Sequence, residues 1–278
     1  MGNPAMASNP RPAYPPRMSK PIPFKPDRFA SAAPHYRAGR PAYAPRLISR
    51  VAALANLNPT TRMLDLGCGT GELAHAFAPL VAHVLAADPS PEMLAIAAEN
   101  QPANLTLRQA SSYDLDASFA PADFVAIGRA FHWMDRADTL HRLDAIIPQG
   151  GTIALFEDTH PDLPDNAWEA DYQALLRRFS RDNADRRRWK GGSWVRHEAF
   201  LLDSPFSQLE QIAVIERRRT PAVTLADRIL SLSSTSPARL GEKANALLGE
   251  LETLLARIAP DGWLTEVVAT SALIARRP

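Results

Sequence analysis

Apolar runs and polar punctuation alternate at short intervals through the middle of this chain. Thr61 to Leu66 is a short apolar run. Val81 to Ala87 is a second, Asn104 to Ala110 a third, Asp123 to Gly128 a fourth and Thr152 to Glu157 a fifth. Each predicts a strand, and apart from the alternating NLTLRQ of the third they are apolar throughout, as strands buried on both faces require. Helical segments fall between them. Gly71 to Pro79 is one; PEMLAIAAEN is another, capped by Ser90 with Pro91 in its first position and ending near Pro102. Asp135 with Asp138 caps RADTLHRLDAII, which stops at Pro148-Gln149-Gly150-Gly151. This rhythm over 61–157 predicts a parallel sheet covered by helices through right-handed crossovers.

The flanks read differently. From Asp27 to about Asn58 the pattern is helical, broken near Gly39-Arg40-Pro41, and Pro45 opens PRLISRVAALANL. Residues 158–210 lose the strand–helix rhythm. They hold Trp168, Trp189 and Trp194 and a basic cluster of Arg177, Arg178, Arg181, Arg186, Arg187, Arg188 and Lys190, and they predict a mostly helical insertion. Strand character returns at Gln211 to Arg219; Thr224 with Asp227 is the expected cap of a helix ending near Ser231. Pro237 is expected to open one long helix, ARLGEKANALLGELETLLARI, whose leucines recur at helical spacing as a core or dimer face. The strand EVVATSALIARR comes last. Residues 1–26 are rich in proline, contain no acid and show no periodicity, so they predict a disordered or polyproline-like arm, with Met18 as an alternative start.

Composition narrows the function. Apolar residues make up 46% of the 278, enough for a sizeable core. The formal net charge of +1 argues against a protein that grips nucleic acid mainly through phosphate. Cys68 is the single cysteine, so disulfides within the chain and cysteine-rich zinc sites are excluded, and its place between two glycines makes it structural rather than a nucleophile. No apolar run approaches the ~20 residues of a membrane span, and no signal-peptide core is visible, which makes a reducing cytoplasm the expected compartment and a monomer or homodimer the expected state.

The chemistry concentrates in MLDLGCGTGELA, Met63 to Ala74. Gly67, Gly69 and Gly71 let the backbone turn sharply and approach a ligand. A dinucleotide site would place its third glycine at position 72, where this chain has Glu72. A glutamate at a helix start repels a pyrophosphate and suits a ligand without phosphate that carries positive charge. The second strand ends in Asp88, 21 residues after Gly67, where an acid accepts ribose hydroxyls. S-adenosylmethionine meets all these conditions.

With these features and a Pro-Gly-Gly-like turn before the fifth strand, the sequence resembles the class I S-adenosylmethionine-dependent methyltransferases over about 28–157. RFASAAPHYRAGRPAY (28–43) and GRAFHWMD (128–135) resemble more narrowly a small-molecule subgroup, methyltransferase type 11, that includes trans-aconitate methyltransferases. The resemblance implies an α/β, Rossmann-like, seven-stranded, mostly parallel sheet with an antiparallel last strand, helices on both faces and a helical cap. It divides 27–278 into an N-terminal lid (27–58), a cofactor core (59–157) and a cap insertion (158–210). It implies that Asp65, Gly67, Cys68, Gly69 and Gly71 hold the methionine part of the cofactor and that Asp88 holds the ribose. Pro89 and Met93 would pack on the adenine, Ser111 and Ser112 meet its edge, and the backbone of Arg129 and Ala130 approach the cofactor amino group. Many relatives carry an acid at the Ser111 position, so this chain must serve the adenine amino group differently.

His132 lies just past the fourth strand, where a neutral imidazole would take a proton from the acceptor as the methyl group leaves sulfur; its alternative role is to orient the loop. Tyr36 is the lid residue expected against the cofactor, Arg40 the one expected on a carboxylate, and Trp133 a packing residue beside the substrate. The reading is an S-adenosylmethionine-dependent enzyme that methylates oxygen or nitrogen of a small molecule, without a metal, a nucleic-acid partner or a membrane. The alternatives are a cofactor-binding protein or cyclase that transfers no methyl group, and a nucleic-acid methyltransferase; the latter is disfavoured because GRAFHW stands where an Asn/Asp-Pro-Pro-aromatic motif would be.

Overall fold

A computed structural model describes residues 25–180 and 194–278. The expected arm therefore lies almost wholly outside the described residues, as do Trp189 and the basic residues from Arg181 to Lys190. Seven strands form one sheet: β1 (Arg62–Leu66), β2 (His83–Asp88), β3 (Leu105–Gln109), β4 (Phe124–Gly128), β5 (Thr152–Thr159), β6 (Gln208–Pro221) and β7 (Trp263–Arg276), in the order β3-β2-β1-β4-β5-β7-β6. Strands β1 to β5 pair in parallel, while β7 runs antiparallel between β5 and β6. The strand order reverses between β1 and β4, and in open parallel sheets a ligand crevice forms at such a switch point, beyond the strand C-termini.

Alternate residues of β4 face opposite layers. Phe124 and Ala126 join a core with Leu47, Val51, Leu73 and Phe77, from helices α2 (Pro45–Leu54) and α3 (Glu72–Phe77). Val125 and Ile127 join a second core with Leu140, Leu143 and Ile146 of α5 (Arg136–Ile146). Helix α4 (Pro91–Ala97) begins as expected, with the Ser90 hydroxyl accepting from the Met93 amide. Strand β3 alternates because it is the sheet's edge and is buried only in part.

The insertion contributes α6 (Trp168–Phe179) and α7 (His197–Leu202). Trp168, Tyr172 and Leu176 of α6 form a third core with α8 (Thr224–Leu230), α9 (Pro237–Leu240) and α10 (Lys243–Ile258). Two local expectations are corrected. Thr224 does not cap α8: it already lies inside the helix, and its hydroxyl donates to the Pro221 carbonyl. The long helix after Pro237 is broken at Gly241, whose φ of +51° with ψ of −129° leaves the helical region for one that only glycine adopts without strain. No helix among the described residues is long and apolar enough to cross a membrane.

Helix α1 (Ala33–Gly39) packs between α4 and α8. Gly39 permits this contact, since a Cβ there would stand 2.5 Å from the backbone of Asp227 and Arg228. His35 bonds Asp227 at 2.7 Å, and the Arg37 guanidinium donates to the carbonyls of Thr70 and Ile96 and to Glu99. Tyr36 is thereby held at the glycine turn.

Candidate active site

The turn after β1 is built from left-handed glycines: φ is +71° at Gly67, +53° at Gly69 and +82° at Gly71. Side chains are strained in that region, and a Cβ on Gly67 would meet the Ala130 Cβ at 2.8 Å. The Gly67 and Cys68 amides donate to the Ala87 carbonyl at 2.8 and 3.0 Å. The Gly69 amide donates to Asp88 Oδ2 at 2.9 Å, and the Ser90 amide to Asp88 Oδ1 at 2.9 Å. Burial raises the Asp88 pKa, and these two N–H donors counter it in part. Burial also pushes the Cys68 thiol well up, which leaves it unreactive.

Asp65 is buried at the end of β1. Its Oδ2 accepts the Ala74 amide at 2.9 Å, while Oδ1 has no partner. Desolvation, opposed by that amide and reinforced by Asp88 and Glu72, brings its pKa to about 7. The Thr70 and Tyr43 hydroxyls are likewise buried without partners. All three belong to residues around a small cavity of about 20 Å³, which Tyr36, Gly67, Gly69 and Glu72 also line. Buried polar atoms normally find partners. An acceptor and two hydroxyls left open beside a glycine turn fit the ammonium and carboxylate of a methionyl group. Thr70 and Tyr43 were not legible as ligands in the sequence; only their unsatisfied hydroxyls reveal them.

Glu72 does not stand as an open negative charge. Arg129 Nη1 donates to it at 2.8 Å, and the same guanidinium donates to Asp158 and to the Pro41 carbonyl. The guanidinium also lies 4.4 Å from the centre of the Tyr43 ring. Two carboxylates share one arginine; burial raises the Glu72 pKa, and Arg129 and then Arg40 counter it in part. The backbone of Arg129 has φ +53°, an uncommon conformation for a residue other than glycine.

Of the expected adenine contacts, Met93 is buried and Pro89 is half-buried, with its carbonyl accepting from Gln109. Ser111 serves first as a cap: its amide and hydroxyl both donate to Asp114 at 2.7 Å. These bonds lower the Asp114 pKa and hold a carboxylate beside the position where the sequence lacks one. Ser112 is buried next to it.

A second cavity, of about 690 Å³, adjoins the first; Tyr36 and Arg129 line both. Its walls bring together Arg40, Ala130, His132 and Trp133 from the expected set with His197 and Trp194 of the insertion. Trp133 is packed edge-on against Phe29, at 5.4 Å between ring centres, beneath the Arg28 guanidinium. Arg40 lies over the Tyr36 ring and donates to the Ser231 carbonyl, while its Nε is buried without a partner. The His132 and His197 rings are nearly parallel, 12° apart, with centres separated by 6.4 Å. Burial, and then the neighbouring His197 and Arg40, hold His132 well below the ordinary histidine range. It is a neutral imidazole at pH 7.

The family described as "Methyltransferase domain" matches residues 63–151. An uncharacterized methyltransferase of Mycobacterium tuberculosis is 33% identical over 135 residues, 48% of this chain and 53% of that protein. The trans-aconitate 2-methyltransferase of Deinococcus radiodurans is 37% identical over 108 residues, 37% of this chain and 40% of that protein. The chain thus spans about half the length, or less, of these curated relatives. Among solved structures, a protein from Anaeromyxobacter dehalogenans superposes with TM-score 0.60 at 22% identity, over 86% of this chain and 97% of its own. A SAM-dependent methyltransferase from Thiobacillus denitrificans, in complex with S-adenosyl-L-homocysteine, superposes with TM-score 0.52 at 16% identity, over 93% and 100%. Residues 63–151 thus carry a methyltransferase domain, and the strand order and the glycine turn with its acid at the end of β2 give it the fold of the class I S-adenosylmethionine-dependent methyltransferases.

Proposed function

We propose that this protein methylates an oxygen or nitrogen of a small, carboxylate-bearing molecule. The observation that carries the reading is the adjacency of the two cavities: the glycine turn, with its unsatisfied Asp65, Thr70 and Tyr43 atoms, shares Tyr36 and Arg129 with a space of about 690 Å³. Such a space suits a metabolite-sized ligand. When bound, S-adenosylmethionine supplies an electrophilic methyl group on a sulfonium.

The chain's own residues position and desolvate. Asp65 accepts the methionyl ammonium, the Thr70 and Tyr43 hydroxyls donate to its carboxylate, and Asp88 accepts from the ribose. Pro89 and Met93 flank the adenine, with Ser112 and the Ser111–Asp114 cap at its edge. Helix α1 is the lid, and α6 and the start of α7 wall the acceptor cavity. Arg40, which lines the cavity, binds an acceptor carboxylate. His132, unprotonated at neutral pH, takes the proton of an acceptor hydroxyl or amine as that atom bonds to carbon; a carboxylate acceptor has no proton to give. Holding the acceptor in line with the methyl group supplies much of the rate.

Calorimetric titration with S-adenosylmethionine, S-adenosylhomocysteine and NAD tests the cofactor, followed by a panel of carboxylate metabolites that includes trans-aconitate, read by methyl transfer. Micromolar binding of the sulfur nucleosides, no NAD binding and one methylated carboxylate are expected. NAD binding alone, or cofactor binding with no methylated acceptor in a broad panel, defeats the reading. In the second case a non-methylating binding protein takes its place.

A further inference from the structure

Resting on that reading, we propose that His197 is a specificity-determining residue: a neutral imidazole locked as a hydrogen-bond donor, which holds a carboxylate oxygen of the acceptor through Nε2–H. The lock is geometric. Arg136 Nη1 lies 3.2 Å from His197 Nδ1. A guanidinium donates and has no lone pair to accept with, so Nδ1 must be the unprotonated nitrogen. The single proton of the neutral ring then sits on Nε2. That nitrogen makes no hydrogen bond among the described residues, and His197 lines the acceptor cavity.

The surroundings hold this arrangement. Arg136 is buried at the first turn of α5, donates to the Val195 carbonyl at 2.6 Å, and stacks on Trp194 at 4.5 Å and on Phe200 at 3.9 Å. One side chain therefore docks the start of α7 onto the core and sets the tautomer of its histidine. Phe131 and Trp194 pack against the imidazole, with ring centres 5.1 and 5.8 Å away. Burial and the adjacent guanidinium bring the His197 pKa down to about 4, so it remains a neutral donor. Arg40 also lines the cavity, with its Nη2 donating to the Ser231 carbonyl. Arg129 and Arg196, the other arginines of its wall, already hold carboxylates. An open imidazole N–H on aromatic walls, beside an arginine, selects an anionic oxygen group on an apolar body.

The test is ¹⁵N–¹H spectroscopy of the histidine rings in the full chain, with trans-aconitate and 3-phenylpropanoate as probes and His197→Phe identifying the signals. His197 is expected as the Nε2-protonated tautomer at neutral pH. At least one carboxylate should shift its Nε2–H signal saturably, with millimolar or tighter affinity. His197→Gln, which keeps a donor, should bind that probe within about threefold of wild type, whereas His197→Phe should lose about tenfold or more, as for an unpaired buried group. Arg136→Met should give a mixture of tautomers; if that variant does not fold, the wild-type tautomer decides the point. A proton on Nδ1, a charged ring at pH 7, no shift with either probe, or equal loss in the Gln and Phe variants overturns the proposal. Calorimetry with S-adenosylhomocysteine separates it from the functional reading. Cofactor binding with a failed His197 test removes only this donor, and a passed His197 test without cofactor binding removes only the methyl-transfer reading.

Discussion

The amide of Gly69 donates to the carboxylate of Asp88 at 2.9 Å, joining the turn after β1 to the acid that ends β2. The two sequence features that best pointed to a nucleoside are therefore one mechanical unit. Removing the carboxylate withdraws a charged acceptor and loosens the turn at the same time. Asp88→Ala is expected to lose at least tenfold in affinity for S-adenosylhomocysteine, measured by calorimetry. Unchanged affinity would place the ribose elsewhere.

Asp65 gives a pH dependence. Its folded pKa of about 7 lies above the roughly 3.9 of an unfolded aspartate, so the folded chain holds a proton between those values that the unfolded chain has released. This group therefore costs stability as pH rises through that window. A bound ammonium favours the ionised form, so binding should release a proton below pH 7. Affinity for S-adenosylhomocysteine should climb between about pH 6 and 8, by no more than about tenfold per pH unit. Calorimetry in buffers of different ionisation enthalpy reads the released proton, and Asp65→Asn should abolish both effects.

Gly39 tests whether α1 controls the cofactor site. A methyl group there stands 2.5 Å from the α8 backbone, which has no side-chain freedom with which to yield. Gly39→Ala should cost about 1–3 kcal/mol of stability as an overpacked contact. It should also raise amide exchange over 33–39 and weaken cofactor binding, while exchange in β1 and β4 stays at the wild-type level. Unaltered exchange in α1 would show that the contact relaxes without undocking it.

The cap should unfold in acid through Glu266. This buried carboxylate accepts from Arg228 at 2.9 Å and Thr220 at 2.6 Å, and bonds His160 at 2.9 Å. Burial alone would raise its pKa, but the hydrogen bonds from His160, Arg228 and Thr220 outweigh it and hold the value far below the usual glutamate range. The resulting stability is fully present above about pH 4.3 and drains away as pH falls below it. Glu266→Gln strands the Arg228 charge and should cost roughly 3 kcal/mol at pH 7. Thermal melts at pH 7 and in acid should show the variant closest to wild type at the lowest pH.

The sequence by itself determined the sheet and the turn. Apolar runs at short intervals, bounded by Ser90-Pro91 and Asp135, carry local signals strong enough to place β1 to β5 and α3 to α5, because strand burial and helix capping are properties of neighbours in the chain. The sharp turn through Gly67, Gly69 and Gly71 was legible for the same reason, and the structure gives it as three positive φ angles. The tertiary structure decided the rest. That Glu72 is tied to Arg129 rather than open to a ligand depends on a partner 57 positions away in the chain. The unsatisfied Thr70 and Tyr43 hydroxyls exist only once α1, α2 and the turn are packed together. His197 meets His132 because Arg136 docks the insertion onto α5, a contact across 61 residues that no local period encodes. Secondary structure follows from short-range sterics and patterning, whereas the charge state and tautomer of a site residue follow from burial and from partners that folding brings together.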